Sequence, residues 1–429
     1  MNSRRSFFRK SIGLAGTFAL TPLAEKALAE DVADALRTLN RLSPDQAATD
    51  EDLWARMAQA YTVSPNILNL NNGGVSPQPK VVQDAVDRYY HLSNEAPSYY
   101  MWQILDRGRE AVRKKLAELA GTSAEEVAIN RNTTEALATV TWGLTLTKGD
   151  EIIMTRQDYP NMIQAWKQKE MRDGIKIKWI SFNLPVENDE AIVNEFINAT
   201  TSKTKIWHIT HMINWTGQIM PVKRLCEEAR KRNIISIVDG AHTFAHLNYK
   251  IPDFNPDYYG TSLHKWLCAP FGTGMLYVKK ENIAGLWPLF PNDKPTDSNI
   301  RKFETLGTRS FAPEQAIGQA IDFHHAIGSQ RKEERLRYLK NYWCEAVKKN
   351  PRVKLHISLK PEYACALGSF SIEGKDVGEV SSKLFGEYQI HTTSIKWDNV
   401  NCVRVTPHVY TTTRDLDRFI EAVLKIASS

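Results

Sequence analysis

From about residue 126 the chain falls into short apolar runs separated by stretches whose apolar positions recur every three to four residues. The runs are "EVAIN" (126–130), "EIIMT" (151–155), "IKIKWI" (175–180), "KIWHIT" (205–210), "IISIVD" (234–239), "DYYGTS" (257–262) and "TGMLYV" (273–278). Segments 134–146, 161–172, 189–199 and 221–232 carry the helical period between them. Strands alternating with helices predict an α/β domain on a mostly parallel, seven-stranded sheet covered on both faces. The last two runs follow short connections, which leaves part of the sheet open to antiparallel pairing.

Outside this region the pattern differs. Residues 30–60 read as polar and helical, "ILNLNNGGVSPQPKVV" (67–82) as a loop, and Gln83 to Ala120 as a strongly helical segment. From about Pro313 two helices (313–328 and 330–349) lead into "VKLHI", "GSFSIEG", "YQIHTTS" and "NCVRVT", with helices near 376–387 and 412–427. This predicts a smaller α+β domain, its last helix opened by a Thr412–Asp415 capping box. The expected organisation is an N-terminal segment (30–85) packing with the small domain, a large domain (86–310) and a small C-terminal domain (311–429).

The N-terminus reads as a targeting signal. "NSRRSFFRKS" carries Arg4 and Arg5, a short apolar stretch follows from Ile12 to Leu23, and Ala27-Leu28-Ala29 is a small-x-small cleavage site. Paired arginines in this grammar point to the twin-arginine (Tat) export machinery and an exported, periplasmic location. That route carries folded cargo, which hints at a cofactor acquired before export. Arg4, Arg5, Arg9, Lys10 and Lys26 against Glu25 leave +4 of the total +6 in these residues, hence +2 elsewhere. So small a bias gives no argument for nucleic acid. With 429 residues, 42% hydrophobic, the chain can bury a large core, and no run beyond the signal is long and apolar enough to span a membrane. The five cysteines show neither a CxxC pair nor metal-ligand spacing, and no disulfide framework is expected.

In open α/β sheets ligands sit outside the carboxyl ends of the strands, and four polar clusters fall at such ends. After 126–130, Asn132, Thr133 and Thr134 open a helix; they either cap it or offer an anion site for a phosphate. After 151–155, Tyr159 either packs on the core or stacks on a flat ring. Asp239 ends the run "IISIVD", with Gly240, Ala241 and His242 after it; it either caps the next segment or meets a cation such as a protonated ring nitrogen. In "TSLHKWLCAPFGTG" (261–274), Lys265 follows His264 and precedes a glycine-punctuated turn. It is either a snorkelling lysine or a buried amine able to attack an aldehyde. The four together decide the matter. A phosphate cradle, a stacking ring, a carboxylate and a Schiff-base lysine are the parts of a pyridoxal 5′-phosphate (PLP) site.

"VDGAH" and "SLHK" resemble, in order, the two central motifs of the class V aminotransferase superfamily of fold type I PLP enzymes. The likeness spans about residues 65–425. It implies that Lys265 carries the cofactor as a Schiff base and shuttles the α-carbon proton, that Asp239 pairs with the pyridine nitrogen, and that His242 lies near the ring's phenolic oxygen. It implies phosphate contacts from Thr133, Thr134, Ser262 and His264, a stacking role for Tyr159 and a place near ring and substrate for Asn214 in "MINWTGQIMPV". "KFETLGTRS" resembles the motif whose threonine, here Thr308, reaches the neighbouring subunit's phosphate, implying a homodimer with shared sites. "NCVRVTPHVY" resembles the motif whose arginine, here Arg404, clamps a substrate carboxylate, implying an amino-acid or peptide substrate.

Departures narrow the chemistry. Cysteine desulfurases carry a nucleophilic cysteine in the region matching 388–396, which has none here; Cys402 reads as core. Tyr159, His242 and "LNNGG" look more like the isopenicillin N epimerase-like branch. The leading expectation is an exported PLP enzyme acting at the amino group or α-carbon. An epimerase or a C–S or C–N lyase on the same scaffold is the alternative, and a non-catalytic binding protein with this fold is a third. A nucleotide-binding enzyme would need a GxGxxG or Walker A loop, which is absent. Tyr99, Tyr100, Trp102 and Trp215 are candidates for the pocket wall or for packing and dimer contacts.

Overall fold

The structure is a computed structural model that describes residues 29–429. The export signal expected over residues 1–29 lies outside the described residues, apart from its last position. Among the described residues, no helix is long and apolar enough to cross a membrane.

Each of the seven apolar runs forms a strand: β1 Val127–Asn130, β2 Glu151–Thr155, β3 Lys176–Ile180, β4 Thr204–Thr210, β5 Ile235–Asp239, β6 Tyr258–Ser262 and β7 Gly274–Val278. Their order across the sheet is β1-β7-β6-β5-β4-β2-β3. β7 pairs antiparallel with both neighbours and every other pairing is parallel. Connection length explains the exception. Helices α1 Thr133–Gly143, α2 Pro160–Asp173, α3 Asp189–Ala199 and α4 Val222–Lys231 fill the longer crossovers, whereas residues 263–273 are too few to return a strand in parallel.

Alternation along the strands feeds two cores. Ile153, Trp207, Ile209 and Val238 pack on one face. Ile152, Met154, Ile206 and Ile237 pack on the other, beneath Leu137 of α1 and Trp166 of α2. Polar residues that share the second parity, His208 and Thr210 on β4 and Asp239 on β5, are carried to that same face.

The small domain holds β8 Val353–Leu355, β9 Gly368–Ile372, β10 Thr393–Trp397 and β11 Val400–Val405 in an antiparallel sheet of order β10-β11-β9-β8. Its core includes Trp343, Phe370, Leu384, Val403 and Phe419. The capping box at the last helix is present, with Thr412 accepting from the Asp415 N–H and Asp415 from the Thr412 N–H. The short helices Pro44–Thr49 and Glu51–Ala58 lie before a two-residue strand, Leu68–Asn69, which pairs in parallel with Ile390–His391. Asn72 then donates to the Thr406 carbonyl (2.9 Å) and the Gly73 N–H to the Thr406 hydroxyl (2.9 Å). These bonds draw the loop Asn71–Gly74 over the cleft between the domains.

The segment Gln83–Ala120 is helical as expected, in pieces: Lys80–Glu95, a turn Pro97–Tyr99, a wide π-helical turn Tyr100–Leu105 and Asp106–Ala120. The break falls at Ala96, which takes an extended conformation (φ −156°, ψ 85°) because the following Pro97 disfavours the helical region.

Candidate active site

Five site residues follow directly on carboxyl ends of parallel strands: Thr133 after β1, Tyr159 after β2, Asn214 after β4, His242 after β5 and Lys265 after β6. They border one cavity of ≈420 Å³, together with Thr134, Asp239, Ser262, His264, Arg404, Gly73 and Gly74. The sheet supplies the floor, and β10 and β11 of the small domain supply the opposite wall through Thr393, Ile395 and Arg404.

At the start of α1, the capping reading holds for Asn132, and it does not compete with a phosphate site. Asn132 caps the helix by accepting from the Glu135 N–H (2.9 Å). That leaves Thr133 free to meet Ser262, with its N–H donating to Ser262 Oγ (3.0 Å) and the two hydroxyls 2.7 Å apart. His264 is held by Nδ1 against the Thr273 carbonyl at 3.0 Å. Hydroxyls at the positive end of an eleven-residue helix make an anion cradle. The approach is close: a Cβ on Gly274 would lie 2.6 Å from Asn132 Cα and N.

Lys265 is part-buried on the cavity wall. Its Nζ lies 3.2 Å from His242 Nε2 and 5.9 Å from the centre of the Tyr159 ring. Burial brings its amine down to about 8, with Asp239 pulling the other way and Arg404 adding to the fall. Burial holds His242 well below its ordinary value, so the imidazole is neutral, and its Nδ1 has no hydrogen-bond partner. Asp239 accepts from the Ala241 N–H at 2.9 Å. Burial, then the neighbouring Asp158, pushes its carboxyl up to about 6. Gly240 is required at this turn, because a Cβ would sit 1.9 Å from Tyr259 Oη.

Arg404 completes the wall. Its two terminal nitrogens donate to the Asn214 carbonyl and to Asn71 Oδ1, both at 2.8 Å, while Nε has no partner. Burial lowers it to about 10, and no carboxylate offsets this. Asn214 Oδ1 is also buried and unpartnered. These orphaned groups, a cationic clamp and an anion cradle fit a ligand with an aromatic nitrogen, a phosphate and a carboxylate partner. That is the chemistry of PLP with an amino acid.

A class-V aminotransferase family model matches residues 68–419. The chain belongs to that family. Its cofactor is pyridoxal 5′-phosphate. Similar proteins include isopenicillin N epimerase of Amycolatopsis lactamdurans, 27% identical over 87% of this chain and 98% of that protein. A probable cysteine desulfurase of Halalkalibacterium halodurans is 27% identical over 87% of this chain and 96% of its own. Among solved structures, a lysine-to-alanine mutant of C-DES with glycine covalently linked to its PLP cofactor superimposes with a TM-score of 0.75. It is 21% identical over 84% of this chain and 96% of that one.

Within this class-V site, Thr133, Thr134, Ser262 and His264 would hold the phosphate, Asp239 the ring nitrogen, Tyr159 the ring face and Lys265 the aldehyde carbon. Thr308 is exposed and does not border the cavity of its own chain. Of the four candidate aromatics only Trp215 does, while Tyr99 and Trp102 stay on the surface. Sequence reasoning missed Asn71, which orients Arg404, although its loop stood out. It also missed Asp158 and His208, buried beside Asp239. A histidine inside the apolar run "KIWHIT" was the signal for the latter.

Proposed function

We propose that this protein is an exported PLP enzyme that acts at the amino group or α-carbon of an amino acid or small peptide, as a homodimer. The observation that carries the reading is a single one. A buried amine of lowered pKa, Lys265, shares a cavity with an arginine, Arg404, that has no anion of its own.

PLP bound here supplies an aldehyde for the substrate amine and a ring that withdraws electrons from the α-carbon. The chain supplies the rest. Arg404, oriented by Asn71 and Asn214, clamps the substrate carboxylate. Asp239 would hold a proton on the ring nitrogen. Lys265 would move the proton at the α-carbon, its Nζ standing 3.2 Å from Nε2 of neutral His242. Tyr159 covers the ring.

The 27% likeness to isopenicillin N epimerase over 98% of that protein supports epimerisation as a second reading, since the same residues serve it. A C–S or C–N lyase shares them too. Desulfuration is disfavoured: residues 388–396 contain no cysteine. Cys402 is buried against the Trp215 carbonyl, its thiol pushed up to about 12.

Support for the dimer comes from Thr308, which lies away from its own chain's cavity, and from exposed Tyr99, Ile104 and Trp287. Export rests on Arg4 and Arg5; replacing both with lysine should leave the protein in the cytoplasm, and unchanged export would sink that part. The main test is borohydride reduction of the purified protein with peptide mapping. Loss of the near-visible band with the label on Lys265 supports the reading, and a protein that cannot bind PLP overturns it. Screening amino acids for racemisation, for ammonia release without a keto acid and for keto-acid-dependent amino transfer then separates the outcomes.

A further inference from the structure

Asp239 has two buried companions. Asp158, His208 and Asp239 bring a carboxylate oxygen, a ring nitrogen and a second carboxylate oxygen within 4.8 Å of one another. Asp158 and His208 are completely buried, and only Asp239 borders the cavity. The Trp166 indole N–H donates to His208 Nδ1 at 3.2 Å. An indole nitrogen can only donate, so Nδ1 is the acceptor and the proton of the neutral imidazole sits on Nε2. Nε2 faces Asp158 Oδ2 at 3.6 Å, and neither atom has a hydrogen-bond partner. The other Asp158 oxygen accepts from the Tyr159 N–H at 2.7 Å. Thr210 lies two residues from His208 on β4 and in register with Asp239 on β5. Its hydroxyl is buried, unpartnered and close enough to act on Asp158.

Two ionised carboxylates this close in a dry site repel each other, as in paired-carboxylate sites where one keeps its proton. His208 cannot relieve the repulsion by charging, because burial brings it down to about 4. The cation acting on the cluster is Lys265, and it acts on Asp239. Asp158 feels burial, the Tyr159 N–H and Thr210, with no cation.

We propose that Asp158 is a positioning residue that keeps the cluster's one proton at neutral pH, so that Asp239 is the single carboxylate charge offered to the ring nitrogen. The proton sits on Oδ2, the Asp158 oxygen that accepts no hydrogen bond, while the neighbouring Thr210 hydroxyl favours the ionised form and so sets the pH at which that proton is lost. His208, its tautomer fixed by Trp166, directs Nε2–H at Asp158 and holds it in place. Burial raises both acids, Asp158 to about 7 and Asp239 to about 6, and Lys265 draws down Asp239 alone. The proposal rests on the PLP reading, since that reading gives Asp239 its partner.

The test is infrared spectroscopy of the whole protein in heavy water, with and without PLP. At slightly acid pH the wild type is expected to show the carbonyl stretch of a neutral carboxylic acid, lost as pH rises. Asp158→Asn, which mimics the neutral acid, should abolish that band yet keep the wild-type cofactor spectrum at pH 7 and PLP affinity within about threefold. Its cofactor spectrum should also lose any dependence on pH contributed by Asp158. Thr210→Val alters no charge and is expected to move loss of the band to higher pH, because the hydroxyl stabilises the ionised form. A wild type without the band, a band that survives Asp158→Asn, or a titration that Thr210→Val leaves unmoved overturns the proposal. Because the band is read without PLP as well, failure here is distinct from failure to label Lys265.

Discussion

The amine of Lys265 stands 3.2 Å from Nε2 of His242, and both are enclosed by the same cavity wall. Burial favours the uncharged form of each, and it is the uncharged lysine that attacks an aldehyde. The amine, brought down to about 8, is mostly protonated below that pH and free above it. Capture of PLP by the apoprotein should therefore accelerate about tenfold per pH unit below 8 and level off above it. Stopped-flow absorbance checks this. A rate still climbing steeply past pH 9 would mean an unperturbed lysine. Lys265→Ala should bind PLP without covalent attachment and turn nothing over.

Arg404 is a buried cation whose partners are a backbone carbonyl and an amide oxygen. A guanidinium held this way lacks the anion that would offset its desolvation. Arg404→Lys loses the two-pronged geometry, and kcat/KM should fall by roughly 100-fold, mostly through KM. Asn71→Ala loosens one prong and should cost about tenfold. Neither change breaks an ion pair, so thermal unfolding should barely move. A large fall in the melting temperature alongside the kinetic loss would make Arg404 a structural residue instead.

Gly274 stands where β7 passes the start of α1. A Cβ there would come within 2.6 Å of Asn132 backbone atoms, which cannot swing aside as a side chain would. Gly274→Ala should push the first turn of α1 off the phosphate position and weaken PLP binding at least about tenfold, with a stability cost of about 1–3 kcal/mol. Fluorescence titration with PLP measures the first and denaturant unfolding the second. Wild-type affinity would show that the cradle does not depend on this approach.

The sequence announced most of this fold because its strands are buried on both faces and so read as short apolar runs. All seven runs became strands, and the connection too short for a helix became the antiparallel pair that carries Lys265. Residues just past strand ends were legible for the same reason: topology places them at one edge. Arg404 and Thr308 were not legible from pattern, since one lies inside a strand and the other on a loop; both came from motif resemblance. Asp158, His208 and Asn71 belong to the site through contacts between elements about 30 to more than 300 residues apart. Local periodicity carries no record of such contacts.

Cys402 offers a clean separation from desulfurase chemistry. Its sulfur is fully buried, donates to the Trp215 carbonyl at 3.7 Å and has a thiol pushed up to about 12. A nucleophilic thiolate needs the opposite environment. Cys402→Ala should keep kcat/KM within about twofold and cost about 1 kcal/mol of stability from the small cavity left behind. Loss of sulfur release from cysteine in this variant would reinstate a desulfurase.

The proposed dimer with shared sites predicts complementation between two defective chains. In a mixed dimer of Lys265→Ala and Thr308→Ala subunits, one site combines both defects. The other combines the intact Lys265 of the Thr308→Ala chain with the intact Thr308 of its neighbour. Random reassortment of equal amounts makes half the dimers mixed, so about a quarter of all sites should regain wild-type covalent PLP binding. Neither variant alone should show such sites, since one lacks the amine and the other a phosphate contact. The assay is borohydride-trapped label at limiting PLP, alongside sedimentation to fix the assembly state. If the mixture only averages its components, Thr308 does not act across an interface, and a monomer in sedimentation would remove the shared site altogether.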